Sequence, residues 1–489
     1  MRKVKIYRAS LLWHLSLVMV ILILLGCTSM GADRYFSRGI SRLQQHNIDG
    51  AIADFTKAIE TNPHFAESYS FRGIARSDRG DATGAIADFN KALELNPRLA
   101  HAYRNRGVVY CRQGNWDGAI ADSTKAIEIN PQYVEAYNTR GESYRQQGKL
   151  SMAIADTTQA LEIDPRFFPA YFTRGLTRMQ QEDQTGAIAD FTKALKLNPR
   201  YVDAYHNRGF VFTRQGNFTG AIADFTKVLE INPESVTDYV ERSRARHMQS
   251  DFPGAVADAT KALELNPQNA VAYHLRGVSM NRQGNLAGAL EDLKKAIEID
   301  PVFGDAYNDR GNIYKYKGQY DKAFADYNKA IDLNPMHAGY YLSRGNAYSD
   351  KSQYDKAFAD YNKAIEINPR YGDAYYNRGN AYSNKGQYDQ AISDFSRAIE
   401  IDPRLADAYN YRGVAYQLKG QKDQAISDFS KAIEINPTCA LAYGNRGEAY
   451  FSKKEYDKAW NDVKKSQDLG YKIDPKFLEM LREASGGER

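Results

Sequence analysis

Proline falls at Pro63 and then at every thirty-fourth residue as far as Pro437, so twelve of the fifteen prolines mark one unbroken period. A fixed period of that size in a chain of 489 residues means a linear array. Each short unit cannot bury its apolar face alone and must stack on copies of itself. Counted from Ala32, units begin at 32, 66, 100, 134, 168, 202, 236, 270, 304, 338, 372, 406 and 440, and the last carries Tyr471 where the others carry proline. About thirteen repeats therefore fill 32–473.

The unit from Gly372 to Leu405 shows what one repeat can do. Tyr375, Gly379 and Tyr382 recur at helical spacing, as do Ala391, Phe395, Ala398 and Ile399 after the polar break at Lys385, Gly386 and Gln387. Two short amphipathic helices joined by a tight turn follow. Glycine inside a helix costs about 0.5–1 kcal/mol against alanine. Its return in the eighth slot of every unit but one, for example Gly107, Gly311 and Gly379, therefore needs a packing reason. The twentieth slot is alanine in every unit, as in Ala51, Ala221, Ala391 and Ala459, so glycine is expected to meet alanine at a close helix crossing. Asp402-Pro403 and its equivalents end the second helix, because proline disfavours helical geometry in the residue before it.

The order Tyr375, Gly379, Tyr382, Ala391, Phe395, Ala398, Pro403 resembles the tetratricopeptide repeat (TPR). The resemblance implies an all-α fold: a right-handed superhelical solenoid of about thirteen 34-residue helix-turn-helix (TPR) repeats whose first helices line a concave groove. The repeats depart from the commonest pattern in the seventh slot, which is arginine in all thirteen, where an aliphatic residue is usual. All thirteen also carry aspartate in the twenty-third slot. A lone arginine beside a packing glycine is a costly buried charge, whereas an arginine facing an aspartate across the helix pair is compensated. Structural ion pairs are thus expected, among them Arg310 with Asp326, Arg344 with Asp360 and Arg378 with Asp394.

The two ends differ from the repeats. Arg2, Lys3, Lys5 and Arg8 precede an apolar run from Leu11 to Leu25, the makeup of an export signal. Leu24-Leu25-Gly26-Cys27 resembles the bacterial lipobox, so residues 1–26 are expected to be a lipoprotein signal peptide, Cys27 the lipidated residue and 27–31 a short tether. Four residues, Thr28 to Gly31, reach about 14 Å, which would hold the first repeat near a membrane. At the other end, 474–489 reads as a capping helix and a frayed tail, with Asp474 as its cap, Pro475 in its first turn and Phe477, Leu478 and Leu481 as its apolar stripe.

Charge excludes one class of partner. The formal net charge is +5, and the leader holds four basic residues and no acid, so the remainder is near +1. Nor does any Lys/Arg run suited to a phosphate backbone occur, and no nucleic acid partner is expected. Besides Cys27, the thiols are Cys111 and Cys439, nine repeats apart and out of reach of one another in a rigid array.

No metalloprotease, paired-cysteine, phosphate-loop or nucleophile-elbow motif occurs, so neither a catalytic residue nor a cofactor is expected. His206 and His274 stand two repeats apart, too far to share a metal whose ligands lie about 2 Å away, so no metal is expected either and the polarity of His206, His247 and His274 is assigned to a solvated groove. Peptide-binding residues are expected on the groove. In the first eight repeats they are Arg104, Phe172, Phe210, Arg214, Arg244 and Arg282, an apolar surface dotted with arginine that also takes in Phe36, Ile40 and Val108. In the second half they are amides, Asn312, Asn346 and Asn380 with Tyr376 beside them, able to pair with a peptide backbone whatever its side chains.

These residues read as a non-catalytic protein–protein interaction scaffold anchored at a bacterial envelope, facing the periplasm from the outer membrane, that holds extended peptide or helical segments of other proteins. The alternative is a targeting or adaptor subunit acting in trans with an envelope enzyme such as a glycosyltransferase or protease system.

Overall fold

A computed structural model describes residues 30–486, so Cys27 and the leader lie outside the described residues. Every regular element in that span is an α-helix. They are numbered α1 (Met30–Gln44) to α27 (Pro475–Ala484), each repeat contributing one odd-numbered and one even-numbered helix before the final α27. Because α1 begins at Met30, the last two residues of the expected tether are helical. None of the described helices is long and apolar enough to cross a membrane.

The chain divides into two units. The first runs to Asp251 and holds repeats one to six and the first helix of repeat seven, α13 (Val236–Met248). The second starts at Phe252 and holds α14 (Phe252–Leu265), repeats eight to thirteen and α27. Within each unit successive first helices touch, while successive second helices are not brought together in the same way. A stack whose first helices converge curves toward them, so their open side is the inner side of the curve.

Local chemistry sets the helix ends. In repeat two the Asp81 side chain accepts the Gly84 N–H at 2.9 Å and caps the second helix. The chain leaves each first helix through a tight turn that needs a left-handed residue, as at Gly386 with φ 74°. At the far end Asn96 takes the Arg98 N–H at 3.0 Å, a local turn that starts where Pro97 stops the helix. On α27, Asp474 accepts the Lys476 N–H at 2.9 Å, and Leu481 is fully buried with Phe477 and Leu478 packed beside it. Phe477 meets Phe451 edge-on at 5.4 Å, and Trp460 donates to Ser485 at 3.1 Å, so the apolar end of repeat thirteen is covered.

The close crossing is built differently from the expected glycine–alanine contact. A methyl group added to Gly379 would stand 2.9 Å from Cε1 of Phe395, so the glycine makes room for the aromatic ring of the twenty-fourth slot. Tyr327 lies in the same way on Gly311 and Tyr361 on Gly345. Only where that slot is smaller does the alanine turn come nearest, as at Gly107, where the Ala119 carbonyl oxygen would be 3.3 Å from the added carbon.

The ion pairs form within repeats, sixteen residues apart. Arg310 donates through Nε and Nη2 to Asp326 at 2.8 and 2.7 Å, Arg344 to Asp360 at 2.8 and 2.7 Å, and Arg378 to Asp394 at 2.7 Å on both arms. The same pairing recurs in every repeat that lies wholly in one unit. Bidentate geometry and nearly buried carboxylates make these strong, oriented contacts. The hydrogen bond to Asp360 holds Arg344 above its ordinary value against a smaller burial cost, whereas at Arg378 burial is the largest influence and pulls down, outweighed by the hydrogen bond and charge of Asp394 together with the neighbouring tyrosines. A tyrosine in the fourth slot lies over each guanidinium, Tyr375 over Arg378 at 5.5 Å for example.

The third arm of the guanidinium ties neighbours together. Nη1 of Arg344 reaches Asn328 of the preceding repeat at 2.6 Å, Arg412 reaches Ser396 at 2.9 Å, and Arg208 reaches Thr192 at 2.8 Å. Thus one arginine joins its own second helix to the second helix before it. Between repeats eight and nine the twenty-fifth slot is Lys294, a like charge that cannot accept from Arg310, and that rung is missing.

Candidate functional site

On a first helix, the second, sixth, ninth and thirteenth slots recur at alternating spacings of four and three and form one stripe. The fourth, seventh, eighth and eleventh slots face the partner helix, as the contacts of Tyr375, Arg378 and Gly379 show. In repeats nine to twelve every position of this stripe is half-exposed or exposed, and it is the surface a partner would meet; in the first unit several of its positions, among them Ile40, Phe71, Val108, Thr139 and Thr173, are buried.

Several expected groove residues do lie there. Phe210 is 39% exposed, and Arg214, Arg244 and Arg282 are exposed, with Arg244 held 3.3 Å from Glu241. Others do not. Phe172 is only 9% exposed and packs on Phe191 at 5.8 Å and Tyr201 at 4.8 Å, so it belongs to the core. Arg104 is 6% exposed and donates to Asn105 at 2.9 Å. Phe36, Ile40 and Val108 are buried as well. The fifth slot, which Phe36, Arg104 and Phe172 share, turns toward the second helix and the linker to the next repeat instead of the open side.

The histidines are engaged too. His206 Nδ1 lies 2.7 Å from Asp238 and His274 Nε2 lies 2.7 Å from Asp309, each carboxylate coming from the following repeat. They are not free groove polarity. Cys111 sits 3.2 Å from the Ser143 hydroxyl, and burial pushes its thiol up to about 11, which suppresses thiolate reactivity at neutral pH.

In the second unit the amides stand on the stripe, and the structure adds a partner for two of them. The Tyr327 hydroxyl donates to Asn312 at 2.9 Å, and the Tyr361 hydroxyl donates to Asn346 at 2.9 Å. Both phenols are buried, and a buried hydroxyl needs such an acceptor. Their amide N–H groups remain for a partner. In repeat eleven the equivalent of Tyr327 and Tyr361 is Phe395, which has no hydroxyl, and the Asn380 amide lies instead with the Tyr376 phenol, whose pKa burial raises. Tyr376 and Tyr411 meet edge-on at 5.9 Å. The row ends at repeat twelve, whose ninth slot is Val414; Asn410, in the fifth slot, is 1% exposed and accepts from Asn445 at 2.9 Å.

Around this row the stripe is acidic. In repeats nine to twelve the second, sixth, ninth and thirteenth slots hold Asp305, Asp309, Asp350, Asp373 and Asp407 and no lysine or arginine. Lys315, one position off the stripe, is spent on Asp350 at 3.6 Å. The second-slot acids Asp305, Asp373 and Asp407, and the lack of lysine or arginine in that slot, are visible in the sequence; Asp309 and Asp350 join them on the stripe, where each taken alone reads as an ordinary surface charge.

Family models described as tetratricopeptide repeat match residues 134–167, 202–235, 372–405 and 406–439. Models described as TPR repeat match 73–114, 109–148, 175–216, 279–315, 311–352 and 345–386. Among solved structures, the chain is similar to the Cut9–Hcn1 hetero-tetramer of the APC/C at 16% identity and TM-score 0.47, covering 93% of this chain and 96% of that one. It is similar to yeast Tom70 at 18% identity and TM-score 0.43, covering 86% and 96%. YrrB, described as a TPR protein with an unusual peptide-binding site, is 30% identical at TM-score 0.31 and covers 38% of this chain and 95% of its own. No curated protein matches.

Proposed function

The chain belongs to the tetratricopeptide repeat family, and from that premise we propose that it is a non-catalytic scaffold that holds an extended segment of a partner protein along the first helices of repeats nine to twelve. The observation that carries this reading is the row of half-exposed amides, Asn312, Asn346 and Asn380, one repeat apart on the inner side. Neighbouring helices pack about 8–10 Å apart, close to the rise of three extended residues. Each amide N–H can then meet every third peptide carbonyl of the bound segment. Buried Tyr327 and Tyr361 hold two of the amides in place, which lowers the ordering cost of binding. The surrounding aspartates favour a segment that is neutral or basic and disfavour an acidic one.

A net hydrogen bond contributes about 0.5–1.5 kcal/mol, so one Asn→Ala change passes nearly unnoticed. Changing Asn312, Asn346 and Asn380 together is expected to weaken binding of a crosslink-identified partner roughly thirtyfold. Affinity is compared by calorimetry, with circular dichroism to confirm the fold. Unchanged affinity in a folded triple variant would move the site to the exposed arginines of the first eight repeats, Arg214, Arg244 and Arg282.

The proposed address is an envelope membrane, through lipid on Cys27. The basic head, the apolar run and Leu24-Leu25-Gly26-Cys27 support it. Labelled palmitate is expected in the wild type and not in Cys27→Ala, which should leave the membrane fraction. Equal labelling of the two would overturn the assignment.

A further inference from the structure

The seam between repeats six and seven departs from the pattern at three positions at once. The third slot, alanine in nine repeats, is Asp238. The closing slot before it, phenylalanine, tyrosine or leucine at eight of the twelve seams, is Ser235, and the fifth slot of repeat six is His206. In the structure these three residues satisfy one another. Asp238 and Ser235 are 4% and 3% exposed, the Ser235 hydroxyl donates to one carboxylate oxygen of Asp238, and His206 Nδ1 lies 2.7 Å from the other. The imidazole rests beside Phe225 with a third of its surface open to water.

Elsewhere along the chain the buried aspartates of the repeat pattern answer to an arginine, whose charge is permanent. Among the described residues no lysine or arginine pairs with Asp238. Its countercharge is an imidazole, the one side chain whose charge ordinarily changes between pH 5 and 8. A buried polar cluster of this kind is not needed for stability, since apolar residues in its place are commonly neutral or better, and most other seams use them. We propose that this seam is a proton-gated joint: α13 docks firmly on α11 (Val202–Arg214) and α12 (Phe218–Ile231) while His206 is an imidazolium, and loosens when His206 loses its proton and leaves the Asp238 carboxylate buried without a countercharge.

The carboxylates around His206 all act in one direction. Its hydrogen bond to Asp238 raises its pKa, burial lowers it, and the fields of Asp238 and Glu241 on α13 and of Asp203 on its own helix raise it further. The Arg244 guanidinium beside Glu241 takes part of that field, and on α12 Asp224 is already bound to Arg208. A histidine raised above its unfolded value of about 6.5 contributes stability that is complete below that pH and is lost as pH climbs through the folded value. The joint is therefore firm in mild acid and loose in mild base.

The test is hydrogen exchange read by mass spectrometry on the intact chain between pH 5.5 and pH 9, with exchange times scaled for the chemical rate. Peptides from α13 are expected to lose protection several-fold across that range, while peptides from repeats two to four do not. His206→Gln, which can donate at every pH but carries no charge, should show low protection in α13 with no pH dependence. Asp238→Ala with Ser235→Leu, the residues other seams use, should show high protection with no pH dependence, and its good packing guards against a variant that merely fails to fold. His247→Gln, the other histidine on α13, should keep the wild-type profile. A wild-type profile as flat as that of the Asp238→Ala, Ser235→Leu chain, or a slope that survives in that variant, would overturn the proposal.

Discussion

Asp394→Ala is expected to cost about 3 kcal/mol or more, since removing one partner of a buried ion pair typically costs 3–5. Asp394 is 5% exposed and takes both parallel arms of Arg378, whose side chain is itself only 18% exposed. Without it the guanidinium keeps Asn362 and the face of Tyr375 but has no countercharge. The pair should be worth much less than that cost, because two charges taken from water repay little beyond their own desolvation. Arg378→Leu with Asp394→Leu is therefore expected to recover most of the loss. Urea unfolding of the three chains, read alongside exchange in repeats ten to twelve, separates the cases. Equal losses in the single and double variants would mean that the pair itself, rather than the orphaned charge, carries the stability.

The rungs between repeats add a second consequence. Because Nη1 of one arginine binds the preceding repeat, loss of a guanidinium touches two units of packing where loss of its aspartate touches one. At Arg310 that inter-repeat arm has no rung to lose, since Lys294 stands opposite. Arg310→Leu with Asp326→Leu should therefore loosen the seam to its preceding repeat less than the same double change at Arg344 and Asp360.

What could be read from residue types alone follows from what repetition makes visible. Twelve evenly spaced prolines named the unit and its helix ends, and the thirteenfold co-occurrence of arginine and aspartate was enough to expect Arg310 on Asp326. The groove was less legible, because a helix turns about 100° per residue and a fifth-slot side chain falls between the open stripe and the core. That is why Phe172 and Arg104, polar or apolar alike, are buried. Asn312 and Asn346 carried a signal that went unused: they occur with Tyr327 and Tyr361, where most other repeats have a residue without a hydroxyl. The cluster at His206 could not be seen in any one repeat, since its three residues come from two repeats and the linker between them.

Gly379→Leu should cost about 3 kcal/mol, the upper end of what overpacking a close crossing brings. Even the first added carbon would stand 2.9 Å from the Phe395 ring, which is fully buried and has nowhere to move. The same eighth slot predicts a different outcome in repeat three. There the twenty-fourth slot is Ser123, and an added carbon at Gly107 meets nothing nearer than the Ala119 carbonyl at 3.3 Å. Gly107→Ala should then be close to neutral, the strain offset by the roughly 0.5–1 kcal/mol that alanine gains over glycine in a helix. The damage at Gly379 should also stay local, because each helix touches only its neighbours along the stack and stability is close to a sum over repeats and seams. Exchange protection should fall in repeats ten to twelve and hold throughout the first unit. If it falls evenly along the chain instead, the repeats unfold as one body, and the seams are far stronger than the repeats they join.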